Sequence, residues 1–161
     1  IHAVRKAVGS RFPIIFRFSQ WKTGHYDAKL AYTPEELEAF LAPLTDAGVD
    51  IFDCSTRRFW EPEFEGSRLN LAGWTRKLTG KPTISVGSVG LKGDFTNAFD
   101  GGPEAEAASV EPLVERLKAG EFDLIAVGRA LLADAEWAEK IRHAREKEIH
   151  LFTKEDLKTL K

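Results

Sequence analysis

Four apolar, β-rich runs punctuate the chain: Pro13–Phe18, Val49–Cys54, Pro82–Val86 and Phe122–Val127. Their central residues, Ile14, Ile51, Ile84 and Ile125, lie 37, 33 and 41 positions apart. Short, almost continuously apolar runs suit strands covered on both faces, as in a parallel sheet. Between the runs the apolar period lengthens to that of a helix. Thr33-Pro34-Glu35-Glu36 reads as an N-cap, a proline at the first helical position and a glutamate closing a capping box. Leu37, Phe40, Leu41 and Leu44 then form one stripe, with Gly48 as its stop. Pro43 falls inside that stripe and predicts a kink or an early end. A shorter helix is predicted around Leu71–Leu78, ending at Gly80. Another starts near Val110, turns Leu113, Val114 and Leu117 inward and stops at Gly120. Asp134 is positioned to cap a helix carrying Trp137, Ile141 and Ala144. Thr153–Asp156 resembles a capping box without its usual Glu or Gln and opens a terminal helix bearing Leu157 and Leu160. Ile1–Gly9 reads as the end of a helix with Ile1, Val4 and Val8 on one face, and Gly101-Gly102-Pro103 as a loop.

The pattern is therefore four βα units in succession. Four such units make either a small open α/β sheet or half of a TIM-type (β/α)8 barrel. The two later strands end alike, in Val86-Gly87-Ser88-Val89-Gly90 and in Val127-Gly128-Arg129-Ala130. Glycine at the C-terminal end of a parallel strand lets an anion approach backbone N–H groups. A helical turn starting at Arg129 or Ala130 would aim its N–H groups at the same point. The Arg129 guanidinium suits phosphate. One such glycine would signify only a tight turn. Two on consecutive units, with an arginine beside one, favour a phosphate site like that after strands 7 and 8 of a (β/α)8 barrel.

Composition narrows the picture little further. The 161 residues carry a formal net charge of -2, which argues against general nucleic-acid binding. No apolar run approaches the ~20 residues a membrane span needs, and the first residues carry no signal-peptide pattern. A single cysteine, Cys54, rules out an intrachain disulfide framework and makes a reducing cytoplasm the default compartment. Methionine is absent, so the chain is expected to be part of a longer product or one trimmed at its start.

The segment Phe122–Trp137 resembles the last βα unit of the Old Yellow Enzyme family of FMN-dependent oxidoreductases. Lys81–Val89 resembles that family's seventh strand and phosphate loop, and Ile15–Ser19 its fifth strand, where an arginine meets the flavin. The resemblance covers essentially all of residues 1–161 but only the C-terminal half of the family's barrel domain. It implies that Gly87, Ser88, Gly128 and Arg129 hold the FMN phosphate and that Arg17 meets the pyrimidine edge or ribityl chain. A cation there would stabilise negative charge on the reduced ring. Read without the resemblance, Arg17 pairs with Asp53 on the next strand. The implied reaction is hydride transfer from NAD(P)H to the flavin, then to an electron-poor alkene. The implied partners are a small-molecule substrate and the N-terminal half of the same barrel. The groups that polarise the substrate and deliver a proton belong to that other half, so no catalytic residue and no metal ligand is assigned here. Gln20 and Trp21 stand where many members carry proline.

The stretch Ser55–Asn70 is long and rich in Arg, Trp, Phe and Glu, and is expected over the substrate mouth. Trp60, with Phe59 and Phe64, lines a substrate pocket or packs the loop onto the barrel. Glu61, Glu63 and Glu65 read as a solvated acidic loop rather than as a general acid or base. Arg57 and Arg58 bind an anionic substrate or neutralise those glutamates. Cys54 lacks an activating neighbour in sequence and reads as a small buried residue. The four histidines show no metal-ligand spacing, and His25 lies near Trp21 and Tyr26 without a motif. Two other functions remain open at this point. One is a flavin-free barrel isomerase or lyase using the same phosphate site. The other is a non-catalytic half-barrel that associates with itself or with its other half through open sheet edges.

Overall fold

The computed structural model describes residues 1–22, 25–93 and 106–158, apart from the side chain of Tyr26. Four parallel strands make the sheet: β1 (Ile15–Ser19), β4 (Ile51–Ser55), β5 (Thr83–Val86) and β6 (Leu124–Ile125), in that spatial order. A short antiparallel pair, β2 (Trp21–Lys22) and β3 (His25–Lys29), follows β1, and none of the four apolar runs of the sequence marks it. The helices are α1 (His2–Val8), α2 (Pro34–Asp46), α3 (Leu71–Thr79), α4 (Glu111–Lys118), α5 (Arg129–Ala133) and α6 (Trp137–Arg142). Among the described residues no helix is long and apolar enough to cross a membrane. The Gly101-Gly102-Pro103 loop and Leu160 lie outside the described residues.

Strand alternation splits the sheet into two unlike faces. Phe18, Phe52 and Cys54 are buried and pack with Leu37 and Leu41 of α2, Leu71 of α3 and Leu113 of α4. The other face carries Ile15, Arg17 and Ser19 of β1, with Ile51, Asp53 and Ser55 opposite them on β4. One row of this face runs Arg17, Asp53, Ile84 and Leu124 across all four strands. Ile15 is 53% exposed and Leu124 50%, so this inner face is open at both edge strands. A finished helix side and an open inner side are what one half of a (β/α)8 barrel requires.

The predicted α2 cap is present. Thr33 accepts from the Glu36 N–H at 3.2 Å, while the Glu36 carboxylate accepts from the Tyr32 N–H at 2.6 Å. Pro43 does not end the helix, which continues to Asp46. A mid-helix proline costs ~3 kcal/mol. Full burial of Leu37 and Leu41 outweighs that at roughly 1.5–3 kcal/mol each. Two predicted apolar faces stay uncovered. Val4 and Val8 of α1 are exposed, as is Leu157 in a single 3-10 turn, Lys154–Leu157, at the predicted terminal helix. The missing Glu or Gln of that turn is replaced by Asp156, which accepts from the Thr153 N–H at 2.8 Å. Asp134 lies two residues before Glu136, the N-cap of α6; it is buried and its carboxylate accepts from the Glu136 N–H at 3.0 Å, from Lys140 Nζ at 2.7 Å and from the His150 N–H at 2.9 Å.

Asn70 joins the long loop to the sheet. Its Oδ1 accepts from the Gly73 N–H at 2.9 Å and so caps α3. Its Nδ2 donates to the Phe59 carbonyl at 2.8 Å and to Ser85 Oγ at 3.1 Å. The residue is wholly buried, so none of these groups has water as a substitute. Replacing Asn70 by Ala is expected to cost about 2–4 kcal/mol, a cap plus stranded buried partners. Urea unfolding measures this, and an unchanged midpoint would contradict the role.

Candidate functional site

The C-terminal ends of β5 and β6 meet in a cavity of about 180 Å³ lined by Thr56, Arg57, Val86, Gly87, Ser88, Val89, Leu91, Ala126, Gly128 and Arg129. At ~30 Å³ per water that is room for several waters, and so for a phosphate group. Four of the five cofactor residues singled out from sequence, Gly87, Ser88, Gly128 and Arg129, therefore line one space.

Each is placed by local chemistry. The loop after β4 clamps the end of β5: Thr56 Oγ1 donates to the Val86 carbonyl at 2.7 Å, and the Phe59 N–H to the Gly87 carbonyl at 3.1 Å. This close approach needs glycine, since a Cβ on Gly87 would sit 2.6 Å from Thr56 Oγ1. Ser88 is held at φ +52°, with Oγ 2.9 Å from the Arg57 carbonyl and 3.0 Å from the Gly93 carbonyl. Its hydroxyl proton donates to one of these at a time. The hydroxyl thus ties loop to loop, and Ser88 offers a ligand its backbone. Gly128 precedes α5, and a Cβ there would meet nothing within 4 Å. Arg129 donates from Nη2 to the Gly93 carbonyl at 2.8 Å, and its guanidinium lies 5.9 Å from the centroid of the Phe152 ring. A half-buried cation beside two glycine-ended strands is a fitting cradle for an anionic tail.

Arg17 stands apart from this cavity, on the inner face. Its Nε and Nη2 both lie 2.7 Å from Asp53 Oδ2. The pairing that the sequence alone suggested is thus formed, and it coexists with an accessible guanidinium, whose side chain is 62% exposed.

Trp60 is placed differently. It packs edge-on against Phe59, with ring centroids 5.0 Å apart, and against the core, and its carbonyl accepts from Arg116 Nη2 at 3.1 Å. It does not line the cavity at the ends of β5 and β6. Arg58 pairs with Glu61 at 2.6 Å, one of the two roles left open for it. Glu63 departs from the solvated loop expected of it, with its side chain only 10% exposed. It accepts from Gln20 Nε2 at 2.9 Å, and burial pushes its carboxyl above the usual range against that bond and Lys29. Gln20 also exchanges hydrogen bonds with both backbone groups of Ala31. No local signal in the sequence announces this clasp, because its partners come from three segments. Cys54 is buried, and burial pushes its thiol up to about 12, so it is no nucleophile at neutral pH.

The comparisons with known proteins agree with this architecture. No family model matches the chain. An NADH oxidase from Thermoanaerobacter brockii is 31% identical over 159 residues, spanning 92% of this chain and 21% of that protein. Among solved structures, morphinone reductase superposes with a TM-score of 0.57 at 14% identity, over 93% of this chain and 33% of its own. The old yellow enzyme from Trypanosoma cruzi does so with a TM-score of 0.55 at 16% identity, over 89% of this chain and 31% of its own. The chain thus spans a fifth to a third of the length of these relatives. Its fold is that of part of a (β/α)8 barrel. These relatives support the resemblance to the Old Yellow Enzyme family, over part of the length of its members.

Proposed function

We propose that residues 1–161 form the C-terminal half of an FMN-binding barrel domain in an NAD(P)H-dependent oxidoreductase of the ene-reductase kind. The observation that carries this reading is the single cavity shared by Gly87, Ser88, Gly128 and Arg129 at the C-terminal ends of adjacent parallel strands. Support comes from the relative named NADH oxidase. In this reading the backbone at Gly87, Ser88 and Gly128 receives the FMN phosphate, Arg129 neutralises it, and Arg17 meets the pyrimidine edge of the ring. Bound FMN supplies hydride transfer from NAD(P)H to an electron-poor alkene. The chain's own residues bind, orient and electrostatically tune the cofactor. The remaining strands of the barrel supply the groups that orient the small-molecule substrate.

The test is colour and affinity in the full-length protein, which is expected to be yellow as purified. Arg129→Ala removes a charge-assisted contact and is expected to weaken FMN binding by about 1.5–3 kcal/mol, roughly ten- to a hundredfold. A colourless protein that takes up a sugar phosphate at the same cavity would establish the flavin-free reading instead. Unchanged FMN affinity in the variant would remove the phosphate assignment.

A further inference from the structure

The flavin reading gives Arg17 a partner in the ligand and leaves Asp53 without a role. Asp53 sits directly opposite Arg17 in the β1–β4 register. Its side chain is 11% exposed, and Oδ2 alone receives both Arg17 contacts, each at 2.7 Å. Its Oδ1 is buried with no hydrogen-bond partner among the described residues. Arg17 is therefore the group that compensates this carboxylate. The rest of the row, Ile84 and Leu124, offers no second ionisable side chain. Asp53 engages the guanidinium along its Nε–Nη2 edge and leaves the Nη1 donors for a ligand on the open face.

We propose that Asp53 is the positioning residue for Arg17: it pins the guanidinium by its Nε edge on the barrel's inner face and offsets part of the charge presented to the flavin. This rests on the flavin reading above. An arginine at a strand edge has four rotatable side-chain bonds, and ordering them costs entropy at binding. A carboxylate that fixes the planar group beforehand removes that cost from the ligand. The same carboxylate makes the arginine a directed donor more than a bare cation. Its negative charge opposes the build-up of negative charge on the reduced ring, which Arg17 alone would favour.

The two effects separate in the full-length, FMN-loaded protein. Asp53→Asn is nearly isosteric, keeps an acceptor for Arg17 and loses the charge. It is expected to raise the flavin midpoint potential while leaving FMN affinity within about threefold, since pinning survives. Arg17→Ala is expected to lower the potential. Asp53→Ala loses pinning and charge together, and is expected to weaken FMN roughly ten- to a hundredfold. In an Arg17→Ala background it should weaken FMN little further, because its action runs through Arg17. The Asp53→Asn potential decides the question alone if the alanine variant does not fold. A potential that is unchanged or lowered in Asp53→Asn, or an Asp53→Ala loss as large without Arg17 as with it, would overturn the proposal. Absence of flavin binding in the wild-type protein would instead overturn the reading on which it rests.

Discussion

Purified residues 1–161, given FMN and NADPH, are expected to reduce cyclohexenone no faster than free FMN does. The four strands form one arc, and its inner face is open at β1 and β6, where Ile15 and Leu124 are exposed. Arg17 reaches into that open side, and the cavity between the ends of β5 and β6 is proposed to hold the cofactor's phosphate. In the proposed reading, no element among the described residues faces this sheet to hold an alkene against the ring. Holding two reactants in line is worth up to ~7–11 kcal/mol when fully realised, and half a site forfeits most of it. Open strand edges also favour self-association over an ordered site. Steady-state turnover against a free-FMN background measures this. Turnover well above background would mean that proton-delivering groups lie in this half, and His25 on β3 would be the first residue to replace.

Gly87→Ala is expected to destabilise the chain by about 2–5 kcal/mol, combining backbone strain with overpacking. Gly87 has φ +146°, a conformation that side-chain-bearing residues rarely adopt. The added Cβ would also lie 2.6 Å from Thr56 Oγ1 and 2.7 Å from the Thr56 carbonyl oxygen. Thr56 cannot step aside easily, because its hydroxyl and its N–H both donate to the Val86 carbonyl, at 2.7 and 3.1 Å. Gly128→Ala provides the contrast. Its Cβ meets nothing within 4 Å, so the larger loss should fall on phosphate-bearing ligands whose place it takes. Urea unfolding of both variants, with FMN titration of the second, reads the difference. An unchanged midpoint for Gly87→Ala would show that the end of β5 yields where the Thr56 bonds say it does not.

Local order was readable in the residues wherever one segment carried its own reason. The β-rich runs around Ile51 and Ile84 became central strands, and Thr33 with Glu36 marked the start of α2. The glycine-ended strands were legible because two similar short motifs recur at the same place in successive units. Illegible features needed distant partners. Glu63 looks solvated until Gln20 and Lys29 arrive from around β2 and β3. Asn70 is an ordinary cap in sequence, and only the fold shows that it also ties Phe59 to Ser85. Trp60 was ambiguous because an aromatic ring serves a pocket and a packed loop equally well, and its edge-on packing against Phe59 is a property of the folded loop. Of the kink or early end read from Pro43, the early end does not occur, because local propensity is outweighed by the buried stripe on the same helix.

Neighbours in the sheet are neighbours in the chain. Ile15 pairs with Ile51, Phe52 with Thr83 and Ile84 with Leu124, so each parallel pairing within this sheet closes a stretch of 36, 31 or 40 residues. Loop-closure entropy grows only with the logarithm of length, so the three closures have nearly equal entropic costs. Such a sheet can grow one strand at a time as the chain leaves the ribosome, each new unit docking on the edge left by the last. The two-residue β6 is the final and least extensively paired addition. The loop bearing Gly128 and Arg129 follows directly from it, so that wall of the cavity is expected to form after the wall bearing Gly87 and Ser88.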